Sequence, residues 1–186
     1  MGKVVSRVLS VTGDASKRKF VDSAIRVKIV GFVYKNYRKD EIAAGLLETA
    51  LELYFNGRDG FSVIHLAAAS EEVLSGMIKG KREPKNAAHP SEQTAREQSI
   101  SCLGAIHVAH GTKRTEKQIG TYLNEVRNQT KHHDPKRDSD MISLSLGIEI
   151  ESVLWRAIEN YVRYFGNPSQ SIMRFLKEVT ENRQFK

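Results

Sequence analysis

Cysteine is nearly absent from this chain of 186 residues, in which Cys102 is the single example. One cysteine excludes an intrachain disulfide and a cysteine-rich structural zinc site, and it favours a reducing compartment. No apolar run approaches the roughly 20 residues that span a bilayer. Near the N-terminus the apolar residues are interrupted by Lys3, Arg7 and serines, unlike those of a signal peptide. We therefore expect a cytoplasmic protein without a membrane segment, with Cys102 as a small buried side chain.

Several catalytic signatures are missing as well. The sequence contains no glycine-rich phosphate loop, no Gly-x-Ser-x-Gly motif and no Cys–His pair for nucleophilic catalysis. A metal site inside a helical bundle needs facing Glu and His side chains. Glu-x-x-His does not occur, however, and His65 lies six residues from Glu71, off its helical face. The sequence therefore predicts neither a metal site nor a cofactor.

Positive charge is in excess and is unevenly distributed. The net charge is +7, and the segment from Lys3 to Lys39 carries ten Lys or Arg residues against two Asp. This basic region, residues 1–39, is predicted to hold an N-terminal arm and a helix at about 16–35. It points to a polyanionic partner such as RNA. An ordinary solvated surface of basic composition explains the same count, so both interpretations stay open.

Apolar residues recur at helical spacing over most of the remaining sequence. With capping residues and Gly or Pro stops, the pattern predicts helices at about 41–56, 61–79, 95–110, 116–132, 139–165 and 169–182. Asp40 is expected to cap the first of them. Short connections favour an all-α, up-down four-helix bundle with additional N-terminal and C-terminal helices. We assign the bundle to residues 40–165, with a loop-and-helix insertion at 80–112, and the C-terminal helix to residues 166–186.

Polar and basic side chains crowd the end of the predicted helix at 116–132, just before Asp134-Pro135. They are Arg127, Asn128, Lys131, His132 and His133. An arginine holds a phosphate through two parallel hydrogen bonds, and a histidine moves protons near neutral pH. On an ideal helix His132 points about 140° away from Arg127, so the helix end must loosen to bring them together. Compensation of the helix dipole, which favours cations in a last turn, is the alternative explanation.

Four segments together resemble the HEPN domain, a four-helix-bundle family found in many microbial RNase toxins and in RNA-processing and defence proteins. They are EIAAGLLETALELYF, FSVIHLAAASEEVLSGMI, the helix end RNQTKHH and the long apolar helix that follows. The family signature is an Arg, a polar residue and then a His after four to six intervening residues. His132 follows Arg127 with four intervening residues and His133 with five. The resemblance covers about residues 40–165, whereas the basic region and the 80–112 insertion depart from the family pattern.

The resemblance implies a metal-independent endoribonuclease in a toxin, defence or RNA-processing setting. His132 would move the proton of the 2′-hydroxyl, Arg127 would stabilise the charge of the transition state, and Asn128 would orient the phosphate or the histidine. His133 and Lys131 are supporting candidates on the same helix end. From the residues themselves, Glu71 is expected to face inward and to order the site through an ion pair with an arginine such as Arg127.

A homodimer is expected on two grounds. HEPN proteins commonly dimerise so that two motifs face one cleft, and a nucleotidyltransferase or an antitoxin is a partner that the resemblance also implies. The predicted helix at 139–165 has apolar residues on more than one side, which suggests surface for a second copy: Leu144, Leu146, Ile148, Ile150, Val153 and Leu154. A non-catalytic module that binds RNA, nucleotides or a protein partner remains an alternative, as does a helical structural protein with an incidentally basic end.

Overall fold

The computed structural model describes residues 35–81, 93–131 and 141–183. Within these ranges there are seven helices and no strand, which confirms the all-α prediction. The predicted arm and nearly all of the predicted helix at 16–35 lie outside the described residues. All the described helices belong to one compact unit, Tyr37–Lys186. They are α1 (Lys39–Phe55), α2 (Gly60–Lys81), α3 (Ala95–Ala109), α4 (Glu116–Tyr122), α5 (Glu125–Lys131), α6 (Leu146–Phe165) and α7 (Gln170–Arg183).

The main hydrophobic core lies between α1, α2, α6 and α7. Each helix contributes a stripe of buried residues at helical spacing: Leu47, Ala50 and Leu51; Val63, Ile64, Ala67 and Ala68; Val153, Leu154, Ala157 and Ile158; Ile172, Phe175 and Val179. The Phe175 ring packs edge-on against Tyr54 and Trp155, with ring centroids 5.3 and 5.8 Å apart. The C-terminal helix, predicted as an addition to the bundle, is thus part of its core.

The second helix, α2, lies along both α1 and α6 and is central to the bundle. By length and composition it is the one helix among the described residues that is apolar enough to cross a membrane. Eight of its residues are buried within the protein, including Glu71. It begins at Gly60, where an added Cβ would lie 2.8 Å from Ile150 Cδ1. Burial inside the bundle accounts for the apolar composition of α2.

The first helix begins slightly earlier than predicted. Arg38, not Asp40, occupies the N-cap position, and Asp40 lies buried in the first turn of α1. Its carboxylate accepts hydrogen bonds from Arg38 Nη2 at 2.7 Å and from the Glu41 backbone N–H at 3.0 Å. The Arg38 guanidinium, through this hydrogen bond, lowers the pKa of Asp40 to about 2. Asp40 therefore stabilises the helix start from within the first turn and not from the N-cap position.

The predicted helix at 116–132 is divided into α4 and α5. Thr115 and Gln118 form the expected capping box at its start, but the helix breaks at Leu123 and Asn124. The Leu123 carbonyl accepts a hydrogen bond from Arg156 Nη2 at 3.4 Å, a contact between elements that no local pattern encodes. The long helix that follows begins at Leu146, later than the predicted residue 139.

Two predictions about burial are wrong. Cys102 is exposed, because Ile100 and Leu103 occupy the inward side of α3. Most of the apolar residues offered as dimer surface are used inside the protein. Val153 and Leu154 are buried, and Leu146 and Ile150 pack against the core, whereas Ile148 is exposed. The long helix therefore leaves less free apolar surface than its sequence suggests.

Candidate functional site

Arg127 lies on α5, directly after Val126, which packs against the core. Its Nη2 donates a hydrogen bond to Glu72 Oε2 of α2 at 3.1 Å, and its side chain is 23% exposed. Three residues further on, Thr130 Oγ1 lies 3.1 Å from His65 Nε2. His65 and Glu72 are seven residues apart, two turns along one face of α2. Two polar contacts thus hold α5, which carries the predicted motif and is called the motif helix below, along α2.

Glu71 faces inward as predicted, but its arginine partner is Arg156 and not Arg127. Arg156 Nε donates to both carboxylate oxygens at 3.2 Å, and both side chains are buried. Successive helical residues point about 100° apart, so Glu71 meets α6 while Glu72 faces α5. A buried, paired guanidinium of this kind fixes position, since either partner alone would be costly to bury.

Asn160 is a second buried residue that organises the site and that the sequence reading did not single out. Its Oδ1 accepts from the Ala95 backbone N–H at 2.8 Å, and its Nδ2 donates to Ser75 Oγ at 2.9 Å. It therefore ties α6 to α2 and to the start of α3. A signal was present in the sequence: Ser152, Arg156 and Asn160 recur every four residues beside the apolar stripe of α6.

A polar cleft of about 270 Å³ lies between α2, the start of α3 and the connection from α4 to α5. Three cationic side chains and two carboxylates line it, and the carboxylate of Glu71 is already neutralised by Arg156. Arg127 pairs with Glu72 and Lys79 pairs with Glu97, so one positive charge, that of Arg96, remains in excess, which suits an anionic ligand. The lining residues are Glu71, Glu72, Ser75, Gly76, Lys79, Thr94, Arg96, Asn124 and Arg127.

Arg96 forms part of the cleft wall and is held by the α4–α5 connection. Its Nη2 donates to the Gly120 carbonyl at 2.9 Å. With the Asn124 amide oriented to satisfy both groups, the Asn124 side-chain oxygen accepts from Arg96 Nη1 and Nη2 at 3.2 and 3.0 Å. An added Cβ at Gly120 would lie 3.2 Å from Arg96 Nη2, a tight contact from which the Arg96 side chain would have to shift slightly. Arg96 is thus chiefly engaged within the protein.

The predicted site residues are distributed unevenly around this cleft. Arg127 lines it, whereas Asn128 and Lys131 are exposed on α5 and are not among its lining residues. The asparagine that lines the cleft is Asn124, in the break directly before α5. His132 and His133 lie outside the described residues, so the expected approach of His132 to Arg127 stays a prediction.

Within the described ranges, no group of three or more His, Cys, Asp or Glu side chains is placed to hold a metal ion. Comparisons of the chain with family models, with curated proteins and with solved structures found no match. The function of the chain is therefore inferred from the cleft, the motif helix and the chemistry of their side chains.

Proposed function

We propose that this chain is a HEPN-like, metal-independent endoribonuclease that acts in the cytoplasm in a toxin, defence or RNA-processing role. The observation that carries the proposal is the position of Arg127 at the edge of a cationic cleft, five residues before His132. One N–H of Arg127 binds Glu72, and its other N–H groups make no hydrogen bond within the part of the chain that the structure describes. An arginine presented in this way suits bidentate recognition of a phosphate.

The proposed reaction uses the RNA's own 2′-hydroxyl as nucleophile. Its oxygen attacks the adjacent phosphorus as His132 takes the proton, the bond from phosphorus to the 5′-oxygen breaks, and the leaving oxygen gains a proton. The products are a 2′,3′-cyclic phosphate and a 5′-hydroxyl. Arg127 stabilises the charge that builds on the phosphoryl oxygens. Asn128, Lys131 and His133 supply hydrogen bonds and positive charge from the same helix end.

A homodimer and a basic RNA-binding region belong to the same proposal. An apolar groove beside the cleft, which shares Glu72 and Gly76 with it, offers surface for a second copy through Ile42, Val73 and Met77. A dimer formed there would place two Arg127 side chains near one interface. The basic residues 1–39 would add affinity for the RNA backbone. A nucleotidyltransferase or an antitoxin is the proposed regulatory partner.

The alternative function is a non-catalytic module that binds RNA or nucleotides. It is favoured by one observation: the described residues that line the cleft provide charged, amide and hydroxyl groups for binding, and no histidine is among them. Such a module would bind the same ligands and leave them intact.

The deciding experiment compares RNA cleavage by the wild-type chain with that by Arg127→Ala and His132→Ala, in the presence of EDTA. Arg58→Ala and His110→Ala are matched controls, because both residues are exposed and neither lines the cleft. We expect cleavage to survive EDTA and to be lost in the first two variants only. An all-deoxy substrate should bind and stay intact. Cleavage that is unchanged in both motif variants would refute the proposal.

A further inference from the structure

The floor of the cleft is a stripe along the outer side of α2. Glu72, Gly76 and Lys79 follow one another at intervals of four and three residues, so they share one helical side. Arg127 stands at the Glu72 end of this stripe, and Lys79 stands at the other. The Lys79 side chain is 53% exposed, and its Nζ forms an ion pair with Glu97 Oε1 at 3.5 Å, so a phosphate bound there would replace Glu97 as it would replace Glu72 on Arg127. The two cations are separated by two helical turns, roughly 10 Å along α2. A ligand with negative charge at both ends matches this arrangement.

Between these ends the floor is open because residue 76 has no side chain. A Cβ added to Gly76 would meet no atom within 4 Å. Glycine inside a helix is destabilising relative to alanine, and no packing contact within the described residues requires it here. The open space lies beside the hydroxyl of Ser75 and the amide of Asn124. These neutral polar groups are suited to the hydrogen-bonding groups of a sugar or a base.

Glu72 occupies the position on Arg127 that a phosphate would take. Its carboxylate is 3.1 Å from Arg127 Nη2, and its side chain is 69% exposed. Exchanging one solvated anion for another involves little desolvation, and a phosphate offers more acceptor oxygens to a guanidinium. Glu72 is therefore placed as an intramolecular competitor of an anionic ligand.

We propose that this cleft binds one nucleotide unit of single-stranded RNA, with its flanking phosphates on Arg127 and Lys79, and that RNA displaces Glu72 from Arg127. The choice of RNA as the ligand rests on the proposed function, whereas the anion-binding site is argued from the geometry of the cleft alone. Binding through Lys79 adds a contact outside the motif helix, which positions the strand along α2. Because Glu72 competes for Arg127, its removal should strengthen binding.

The test is fluorescence anisotropy of the full chain with a labelled single-stranded oligonucleotide whose riboses are all 2′-O-methylated. Such a strand has no free 2′-hydroxyl, so binding is measured without cleavage. Lys79→Gln should weaken binding several-fold and reduce the salt slope by about 0.7, the value for one phosphate of a single strand. Lys117→Gln, an equal charge change on the exposed side of α4, should leave the slope almost unchanged.

Three further substitutions test the open floor at Gly76 and the competing carboxylate of Glu72. Gly76→Phe should weaken binding by about tenfold by filling the open space, whereas Gly76→Ala should bind much as the wild type does. Because Gly76 also lines the apolar groove, light scattering on both variants separates cleft occlusion from a change of oligomeric state. Glu72→Gln should tighten binding by several-fold.

The outcomes separate this site from the nuclease proposal. Wild-type affinity in both Lys79→Gln and Gly76→Phe would overturn the site, as would absence of wild-type binding. Weaker binding by Glu72→Gln would overturn the displacement step, because Glu72 would then be holding Arg127 in place. If the binding changes appear as expected but unmodified RNA stays intact, the cleft proposal stands and the nuclease proposal fails.

Discussion

The four helices that form the core and the three helices α3 to α5, which carry the motif, are stabilised by different kinds of contact. In α1, α2, α6 and α7 the contacts are mainly apolar stripes that meet in one core. In α3 to α5 few residues are buried, and α5 has none. Apart from Val126, which packs against the core, the motif helix α5 is held by the Glu72–Arg127 and His65–Thr130 contacts. Polar contacts of this kind are individually weak, so the motif helix can adjust while the bundle stays folded.

The buried Glu71–Arg156 pair joins the two regions, and its disruption should have the largest effect. Arg156→Ala leaves a buried carboxylate without its partner and removes the contact with the Leu123 carbonyl, so we expect a loss of about 3–5 kcal/mol in the free energy of unfolding. Urea denaturation measures it. Arg58→Ala, an exposed arginine in the turn after α1, should change stability by less than about 0.5 kcal/mol.

A double replacement tests separately whether the Glu71–Arg156 pair stabilises the fold and whether it positions the cleft. Glu71→Met combined with Arg156→Met removes both charges, and it should recover much of the stability lost in Arg156→Ala. RNA binding should stay impaired, since the α4–α5 connection loses its hydrogen bond from Arg156. A double variant with both stability and binding at wild-type levels would show that this pair does not position the cleft.

Asn160 should have the next largest effect. Asn160→Ala leaves the buried Ala95 N–H without its acceptor and Ser75 without its donor, which we expect to lower the free energy of unfolding by about 1–3 kcal/mol. Asn167→Ala, in the exposed turn before α7, is the matched control. Equal stability of the two variants in urea would mean that the start of α3 does not depend on α6.

These comparisons also show what could be predicted from the sequence. Helices with strong apolar stripes, such as α1, α2 and α6, follow from periodicity because burial of one face is a local pattern. The break at Leu123 and Asn124 depends on Arg156 and Arg96, which are distant in sequence, so no local signal encodes it. Whether α7 joins the core likewise depends on the packing of Phe175 against Tyr54 and Trp155, which are distant in sequence.

The candidate site was predictable in part for the same reason. Arg127 was identified by its place in a motif, and Glu71 by a carboxylate in an apolar helix. The predicted partner of Glu71 was wrong because two arginines, Arg127 and Arg156, were available, and sequence spacing does not choose between them. The polar series Ser152, Arg156 and Asn160 was visible at intervals of four, and a search for polar residues within an apolar stripe would have found it.

A smaller, local effect is expected where α5 meets α2. Thr130→Val removes the contact with His65 and should lower the local opening free energy of α5 by about 0.5–1.5 kcal/mol, with little change in global unfolding. Hydrogen exchange of the α5 amides measures it. Thr121→Val is a close control, because the Thr121 hydroxyl donates to the Lys117 carbonyl of its own helix and, within the described residues, makes no hydrogen bond to another element. Equal exchange in both variants would show that the histidine contact does not hold α5.

The smallest effect should come from Asp40, and it should be present at neutral pH and lost in acid. The pKa of Asp40 is lowered to about 2 in the folded chain, mainly by its hydrogen bond with Arg38, from an ordinary value of 3.8. A lowered folded-state pKa contributes stability that is fully present above pH 3.8 and is lost as the pH falls toward 2. Asp40→Asn lacks this contribution, so the difference in melting temperature between wild type and variant should shrink across that window. Glu41→Gln, which removes the neighbouring exposed carboxylate, controls for the loss of one negative charge. A difference between wild type and Asp40→Asn that stays constant from pH 5 to pH 2 would mean that the aspartate acts at the start of α1 through its shape and hydrogen bonds, and that its charge adds nothing to the bundle.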